Sequence, residues 1–239
     1  MEMTKEQDPM GSAIYNYWHT GDTSPIRVFS PMFDEDEMPV EILFRTYDEM
    51  PAVEQGAIDL AQGRTLDVGA GAGCHSLVLQ ERGIDVTAVD ISPLSVLTMQ
   101  ERGVKHPLLQ DYYTLTSQYD TILMLMNGIG IVGNVDNFQH FFEHLNHILA
   151  PGGQLLFDSS DLCYLFEDEE GLIELPDTDG YYGELTFQLQ YKDIHGEPFP
   201  WVYIDAETMQ MYAEKYGYTL EVLKYGEHYD YLGRITKTC

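Results

Sequence analysis

Three glycines lie where a predicted buried strand is followed by a predicted helix. Gly69, Gly71 and Gly73 belong to the segment LDVGAGAGCHS at 66–76. A residue without a Cβ permits a tight turn and lets a ligand approach the backbone closely. The first turn of the helix also presents free backbone N–H groups, which attract a carboxylate. The segment therefore predicts a ligand-binding turn at the end of a strand.

Two carboxylates accompany this glycine loop. Asp67 precedes the first glycine by two residues, and Asp90 ends the next predicted strand, seventeen residues beyond Gly73. A carboxylate in the second position accepts hydrogen bonds from both ribose hydroxyls of an adenosine. A glycine loop alone is weak evidence, because many such turns are structural. The loop together with the acid predicts an adenosine-containing ligand.

The spacing of the glycines distinguishes between the possible adenosine-containing ligands. A nicotinamide site has the pattern G-x-G-x-x-G, whose third glycine would fall on Cys74 here. The chain has G-x-G-x-G, which resembles motif I of the class I S-adenosylmethionine-dependent methyltransferases. VTAVDISP at 86–93 resembles the acidic-loop motif of that family, MNGIG at 126–130 its fourth-strand motif, and LAPGGQLLFDSSD at 149–161 its post-helix signature. The resemblance covers residues 52–162 well and extends to the final hairpin.

The resemblance implies S-adenosylmethionine as the cofactor and gives roles to single residues. Asp67 would contact the methionine amino group, Asp90 the ribose and Asp111 the adenine amine, while Asn127 would lie beside the sulfonium. The complete set of implied cofactor-binding residues is Asp67, Gly69, Ala70, Gly71, Gly73, Asp90, Ile91, Asp111, Tyr112 and Asn127.

Methyl transfer is an in-line displacement at a positively charged sulfonium, so the cofactor already carries the activation. The protein mainly aligns the acceptor and excludes water. A general base is needed only if the acceptor must lose a proton. Tyr15, Asp158 and His228 are the candidates for that role, and the sequence does not choose among them. An oxygen, nitrogen, sulfur or carbon acceptor on a small metabolite is compatible with the pattern.

Three other functions compete with a small-molecule methyltransferase. A nicotinamide-dependent oxidoreductase is disfavoured by Cys74 and by the antiparallel hairpin predicted at the end of the chain. An aminopropyl transferase shares the fold, and an acidic pocket would suit its polyamine acceptor. A non-catalytic module that senses S-adenosylmethionine is the third alternative. A DNA methyltransferase would carry a Pro-Pro-aromatic or Pro-Cys motif, which MNGIG lacks.

Composition limits the partners of the chain. Its 239 residues are enough for one α/β domain of ordinary size. Forty acidic against twelve basic residues give a formal net charge of −28. Such a surface repels nucleic acid and anionic membranes, so we expect neither as a partner. The charge either keeps the protein in solution or favours a cationic or neutral substrate. The sequence does not indicate an oligomeric state.

Cysteines, histidines and apolar stretches indicate no metal site and no membrane segment. The three cysteines are odd in number and scattered, which fits a reducing cytoplasm: Cys74, Cys163 and Cys239. Three histidines form one stripe of a predicted helix, opposite its phenylalanines, and are expected to face solvent: His140, His144 and His147. Apolar runs such as TILMLM are too short to span a bilayer, and the polar N-terminus does not resemble a secretory signal.

Alternating strands and helices position the predicted site. The predicted strands of the central sheet lie at 64–70, 85–90, 119–127 and 152–161, and the predicted helices at 52–62, 73–82, 92–103 and 137–150. Gly63 is expected to cap the first of these helices and Ser92 to begin the third, with Pro93 at its first position. This alternation predicts a parallel sheet with helices on both faces. With the family resemblance, it predicts a Rossmann-like seven-stranded, mostly parallel sheet.

The last third of the chain has a different pattern. Residues 163–184 are expected to form an exposed acidic loop, followed by an inserted β-hairpin at about 184–204 with its turn at His195 and Gly196. Asp205 is expected to cap a helix that runs to Tyr216. Two antiparallel strands, TLEVLKY and HYDYLGRIT, complete the sheet.

The first fifty residues are expected to form a lid, and 51–239 the methyltransferase domain. AIYNYW at 13–18 predicts a helix, and DEDEMP at 34–39 a solvated loop. We expect Tyr15, Tyr17 or Trp18 to lie over the cofactor; the alternative is a hydrophobic strap on the outside of the sheet. Further aromatics outside the central sheet are expected to line the substrate pocket: Trp201, Tyr203, Tyr229 and Tyr231.

Overall fold

The secondary structure follows the alternating pattern of the sequence. The computed structural model describes residues 7–168, 170–175 and 180–238. Its strands are, in chain order, β1 (Ile26–Ser30), β2 (Phe33–Met38), β3 (Arg64–Val68), β4 (Asp85–Asp90), β5 (Pro107–Leu109), β6 (Tyr119–Met124), β7 (Leu149–Ser160), β8 (Glu184–Tyr191), β9 (Ile194–His195), β10 (Phe199–Val202), β11 (Tyr218–Tyr225) and β12 (Asp230–Lys237). Its α-helices are α1 (Pro9–Thr20), α2 (Ala52–Leu60), α3 (Cys74–Glu81), α4 (Pro93–Glu101), α5 (Phe138–Ile148) and α6 (Ala206–Lys215).

A seven-stranded sheet forms the centre of the molecule, in the order β11-β12-β7-β6-β3-β4-β5. The five strands from β7 to β5 are parallel, whereas β12 is antiparallel to β7 and β11 antiparallel to β12. The predicted fold class is therefore confirmed. The carboxyl ends of the parallel strands meet along one edge, where ligands bind in open α/β sheets. Strand β5 was not predicted, because three residues are too few to show a period.

Helices cover both faces of this sheet. On one face α2 and α3 pack on β6 and β7, with Ala57 and Leu79 buried beside Leu123 and Leu156. On the other face, α5 and α6 bury their apolar sides against the sheet, which explains the phenylalanine stripe of α5. Helix α2 ends at Leu60 and its C-cap is Ala61, so the predicted capping role of Gly63 is wrong.

A second, smaller sheet is built from two distant parts of the chain. Its order is β10-β8-β1-β2, and the short β9 also pairs with β8. The predicted hairpin is therefore present, but its turn lies at 192–193 rather than at His195, with Lys192 in the left-handed region at φ 52°. Strands β1 and β8 are antiparallel neighbours. The segment 34–39 was predicted as a loop, yet most of it is the edge strand β2, whose acidic side chains are exposed as expected.

Helix α1 fastens the N-terminal segment to the large sheet. The Asp8 side chain caps this helix by accepting a hydrogen bond from the Gly11 N–H at 2.8 Å, and it accepts a second one from the Ser92 hydroxyl at 2.5 Å. Ser92 in turn caps α4 by accepting from the Ser95 N–H at 2.9 Å, as predicted. Ala13 and Ile14 are fully buried in the core between α1 and the small sheet.

The acidic stretch at 163–184 is only partly a loop. Its first residues form a 3-10 turn at Leu162–Phe166, and Glu167 pairs with Ile173 in an isolated bridge; residues 169 and 176–179 lie outside the described residues. Cys74 and Cys163 are free thiols, while Cys239 also lies outside the described residues. Within the described part of the chain, no helix is long and apolar enough to cross a membrane.

We expect Ser92→Ala to lower the free energy of unfolding by about 2 kcal/mol. The change removes a helix N-cap and leaves the buried Asp8 carboxylate without its hydroxyl donor. Urea denaturation measures the difference. Thr46→Ala is the matched control, because Thr46 also caps a short helix but is exposed and has no distant partner. An equal loss in both variants would show that the contact with Asp8 adds nothing.

Candidate functional site

The glycine loop has a backbone that only glycine adopts without strain. Gly69, Gly71 and Gly73 have φ values of 67°, 55° and 81°. The Gly69 and Ala70 N–H groups donate to the Val89 carbonyl at 2.9 and 3.1 Å, which fixes the loop to the end of β4. A Cβ on Gly73 would lie 2.9 Å from the Val104 side chain, so α3 packs closely here. The loop is the tight turn that the sequence predicts.

Asp90 lies at the carboxyl end of β4 and faces this loop. One carboxylate oxygen accepts from the Gly71 N–H and the other from the Ser92 N–H, both at 2.8 Å. Each carboxylate oxygen has two lone pairs, so acceptor capacity remains for two ribose hydroxyls. Burial raises the pKa of Asp90 to about 6, even though these two backbone bonds favour the charged form. The side chain is held in place for a diol.

Asp67 lies beneath the loop and is almost fully buried. It accepts a hydrogen bond from the Ser76 hydroxyl at 2.6 Å, which ties β3 to α3. Burial raises its pKa. The carboxylate thus stabilises the glycine loop from below, and its contact with a methionine amino group stays a prediction.

The residues expected at the adenine end follow β4 and β5. Ile91 is 51% exposed next to Asp90, where an apolar side chain can cover a ring. The exposed Asp111 accepts from the Tyr113 N–H at 2.8 Å and caps a 3-10 turn. Tyr112 differs from the expectation, because its side chain is buried in the core against Phe141. Only its backbone is left to line a ligand site.

The histidine stripe also touches this region, contrary to the expectation that it faces solvent throughout. His140 stacks on Tyr113 with ring centroids 4.6 Å apart, and the half-buried His144 packs against Tyr112 at 4.8 Å. His147 is exposed as expected. Among the residues that the structure describes, no group of three or more potential ligands is arranged to hold a metal ion.

At the expected sulfonium end, the backbone after β6 is strained. Met126 and Asn127 both adopt left-handed φ values, 58° and 56°, which non-glycine residues rarely do. The Asn127 N–H donates to Asp158 at 3.0 Å. Its side-chain oxygen accepts from the Ser159 hydroxyl at 2.9 Å, and its side-chain N–H donates to the Val202 carbonyl at 3.3 Å. The Asn127 amide therefore joins the two sheets instead of pointing freely into the crevice.

Of the three candidate bases, the structure places Asp158 at this edge. Its second carboxylate oxygen is buried and has no hydrogen-bond partner. Burial raises the pKa of Asp158 to about 7, which suits a group that exchanges protons near neutral pH. Tyr15 instead stacks on His19, with ring centroids 3.9 Å apart, and His228 is exposed in the turn between β11 and β12.

A buried charge network near Asp158 was not found from the sequence. Glu54 of α2 accepts from Arg45 at 2.8 and 2.9 Å and contacts the His75 ring nitrogen at 2.7 Å. Burial lowers the pKa of His75, but the hydrogen bond to Glu54 and the charge of Asp67 outweigh it, so the pKa is raised. Arg45 and His75 lie 9 and 21 residues from Glu54, and the three form no motif. The network holds the start of α3, and with it the glycine loop, against α2.

The aromatic residues of the N-terminal segment lie beside the glycine loop. Tyr17 packs on Phe44 with ring centroids 4.6 Å apart, and Trp18 is 44% exposed under the Arg102 guanidinium. The Ile14 side chain of α1 lies 3.8 Å from the Cβ position of Gly71. Helix α1 thus approaches the predicted site through an aliphatic residue, and closure as a lid stays a prediction.

Fold and site together define a class of protein. A parallel sheet with a tight glycine loop after its first strand and a carboxylate at the end of the next is the class I S-adenosylmethionine-dependent methyltransferase arrangement. Residues 40–223 match the family model described as a methyltransferase domain, and the chain belongs to this family. It is similar to an S-adenosylmethionine-dependent methyltransferase from Bacteroides fragilis, crystallised with S-adenosyl-L-homocysteine. The two are 49% identical over 100% of this chain and 98% of the other, with a TM-score of 0.94.

More distant proteins share the fold. The CcbJ methyltransferase from Streptomyces caelestis is 16% identical over 81% of this chain and 95% of its own, with a TM-score of 0.59. In sequence, YqeM of Bacillus subtilis (strain 168) is 29% identical over 104 residues, which are 41% of this chain. The chain matches only 42% of the length of that curated relative.

We expect Asp90→Ala to weaken S-adenosylhomocysteine binding by about 2–3 kcal/mol, because two ribose hydroxyls lose a charged acceptor. Calorimetry measures the dissociation constant, and circular dichroism confirms the fold. Asp85→Ala is the matched control, since Asp85 is an exposed carboxylate at the opposite end of β4. An unchanged dissociation constant in folded Asp90→Ala would place the ribose elsewhere.

Binding of S-adenosylhomocysteine should also depend on pH through Asp90. Since burial raises the pKa of Asp90 to about 6, the carboxylate is ionised above that pH and protonated below it. Ribose hydroxyls donate to the ionised form, so affinity should fall as the pH drops below about 6. Titrations at several pH values test this. The fall should be absent in Asp90→Ala, and persistence of the same fall there would assign it to another group.

Proposed function

We propose that the protein transfers the methyl group of S-adenosylmethionine to a small-molecule acceptor, with Asp158 as the proton acceptor. The observation that carries this proposal is the buried, unpartnered oxygen of Asp158 at the carboxyl end of β7. That strand end belongs to the same edge of the sheet as the glycine loop and Asp90. A buried polar atom without a partner is rare in folded proteins and needs an explanation. Our explanation is that this oxygen receives the proton that the methyl acceptor loses.

The small sheet supports an acceptor of limited size. Asn127 binds the Val202 carbonyl of β10, so this sheet is fixed to the edge of the large one. Trp201 lies directly against Gly130, where an added Cβ would be 2.1 Å from the indole nitrogen. The strand ends are therefore covered from this side by well-packed protein. A narrow site suits a metabolite better than a polymer.

Charge supports the same conclusion. The formal net charge of the chain is −28, which repels a phosphate backbone or an anionic membrane. We therefore propose neither nucleic acid nor membrane as a partner. A cytoplasmic location is part of the proposal, supported by the free thiols Cys74 and Cys163. Burial raises the pKa of Cys74 to about 12, so this residue packs as a thiol and is no nucleophile.

The residues of the site fit the cofactor, and each has a separate role. S-Adenosylmethionine, when bound, supplies a methyl group activated by its sulfonium. Gly69 and Gly71 present backbone where a ligand can approach closely, and Asp90 has acceptor capacity for the ribose. Asp158 takes the proton that the acceptor loses as its lone pair attacks the methyl carbon. The strained backbone at Asn127 holds Asp158 by a single N–H bond, which leaves the other oxygen buried and without a partner.

The acceptor itself is found by a labelled-methyl experiment. The protein is incubated with labelled S-adenosylmethionine and separate fractions of a cell extract: small molecules, RNA and protein. The proposal expects label in the small-molecule fraction. Label confined to RNA or protein would overturn it.

We expect Asp158→Asn to lower kcat/KM for this acceptor by about a hundredfold at pH 8, a typical effect of removing a general base. In the unaltered protein, the rate should rise with pH through about 7, where Asp158 becomes ionised. That rise should vanish in the variant, while binding of S-adenosylhomocysteine changes little. Asp36→Asn, an exposed carboxylate on β2, is the control for charge alone. A wild-type pH profile in Asp158→Asn would assign the base elsewhere.

A further inference from the structure

Three tyrosines belong to segments that meet the carboxyl end of β7, where Asp158 lies. The Tyr229 carbonyl accepts from the Asp161 N–H at 3.0 Å, and Ile204, the residue after Tyr203, donates its N–H to Ser159 at 2.9 Å. Tyr164 and Tyr229 stack with ring centroids 5.2 Å apart, and both are partly exposed, by 40% and 51%. Burial, together with the negative charge of Asp158, raises the pKa of Tyr203 to about 12. We call Asp158, Tyr164, Tyr203 and Tyr229 the tyrosine–aspartate cluster. Its ring faces and its carboxylate are the two kinds of group that bind an organic cation.

Two further carboxylates near the cluster, Asp161 and Asp205, are held by tyrosine hydroxyls. Asp161 accepts from the Tyr182 hydroxyl at 2.6 Å, and Asp205 accepts from the Tyr181 hydroxyl at 2.6 Å. Within the described residues, neither they nor Asp158 form an ion pair with a lysine or arginine. The nearby groups whose charges act on the pKa of Asp158 are Glu54, which raises it, and His75, which lowers it. Apart from the effect of His75 on Asp158, these carboxylates are stabilised by hydroxyl and N–H groups.

The sequence explains why cations are scarce here. Between Lys105 and Lys215, Lys192 is the only lysine or arginine. Lys192 lies at the far turn of the hairpin and pairs with Asp22. Three members of the cluster, Asp158, Tyr164 and Tyr203, come from this stretch with few cations, and Tyr229 follows it. A carboxylate removed from water without an opposite charge is costly, and a bound cation relieves that cost.

We propose that the methyl acceptor is an amine that enters as an ammonium ion and is bound by the tyrosine–aspartate cluster. This inference rests on the proposed function and names the substrate class for the same site. The faces of the three tyrosine rings attract the cation, and the free oxygen of Asp158 accepts its N–H bond. A carboxylate substrate would be repelled by the same groups. An uncharged alcohol would leave the negative charge of the site without a partner.

An ammonium ion and the free Asp158 oxygen also give a balanced reaction. The ammonium gives one proton to the Asp158 carboxylate and becomes a neutral amine with a lone pair. This lone pair forms the new N–C bond to the methyl carbon while the C–S bond breaks, and the electron pair of that bond stays on sulfur. The products are a methylated ammonium ion and S-adenosylhomocysteine. Asp158 then releases its proton to water.

A binding experiment separates this substrate class from the others without knowledge of the natural acceptor. The protein is loaded with S-adenosylhomocysteine, whose sulfur is uncharged, and titrated in a calorimeter with choline. The neutral analogue 3,3-dimethyl-1-butanol, in which carbon replaces nitrogen, is titrated in parallel. We expect choline to bind at least about tenfold more tightly than the analogue, since only choline carries the charge that the rings and the carboxylate attract.

Variants identify the residues involved. Asp158→Asn, and the double variant Tyr164→Leu with Tyr229→Leu, should each weaken choline binding by about tenfold. Both tyrosines are partly exposed, so their replacement should leave the fold intact. Asp36→Asn removes one carboxylate from the exposed strand β2 and should leave choline binding unchanged. Affinity for S-adenosylhomocysteine should stay within about twofold in all of them.

Each outcome bears on the proposal. Equal binding of choline and its neutral analogue would overturn it, as would an Asp36→Asn variant that weakens choline binding as much as Asp158→Asn does. If the cluster served only the sulfonium of the cofactor, choline would not bind to the loaded protein, and the proposal would fall while the cofactor site stands. Failure of S-adenosylhomocysteine to bind at all would overturn the proposed function instead.

Discussion

The structure depends on the hydrogen bonds of Asn127. Its backbone N–H, its side-chain oxygen and its side-chain N–H bind Asp158, Ser159 and Val202 respectively. One residue thereby fixes β6 to β7 and both to the small sheet. The left-handed backbone at Met126 and Asn127 is unfavourable by itself, at roughly 1–3 kcal/mol for each residue, and these bonds hold it in place. Without this turn, the N–H group would not point at Asp158, and the small sheet would lose one of its contacts with the edge.

The same turn decides the chemistry of the edge. Burial raises the pKa of Asp158 to about 7 and that of Asp90 to about 6. Asp90 receives two N–H bonds, one on each carboxylate oxygen, whereas Asp158 receives one. The two carboxylates lie at the ends of β4 and β7, with β3 and β6 between them, and they differ in the number of backbone donors. The one with two donors is fitted to hold a diol, and the one with a free oxygen to exchange a proton.

Local sequence patterns predicted the large sheet, but they could not predict contacts between residues that lie far apart in the sequence. The order of buried strands and helices from 64 onward, the cap at Ser92 and the terminal hairpin could all be derived from spacing and composition. The small sheet could not, because β1 and β8 are more than 150 residues apart, as Arg27 pairs with Gln190. The Glu54 network was missed for another reason: Arg45 and His75 lie 9 and 21 residues from Glu54, a spacing that matches no motif. Within the predicted site, Asp90 faces the glycine loop as expected, but the Asn127 and Tyr112 side chains are used by the protein itself.

Ser92 links the N-terminal segment to the predicted ribose site. Its hydroxyl donates to Asp8 at the start of α1, and its N–H donates to Asp90 at the end of β4. The two carboxylates are close enough that the charge of Asp8 helps to raise the pKa of Asp90. A displacement of α1 from Ser92 would therefore change the effect of Asp8 on the pKa of Asp90. It would also move Ile14 away from the glycine loop. We therefore expect docking of the N-terminal helix and binding of the cofactor to be coupled through these contacts.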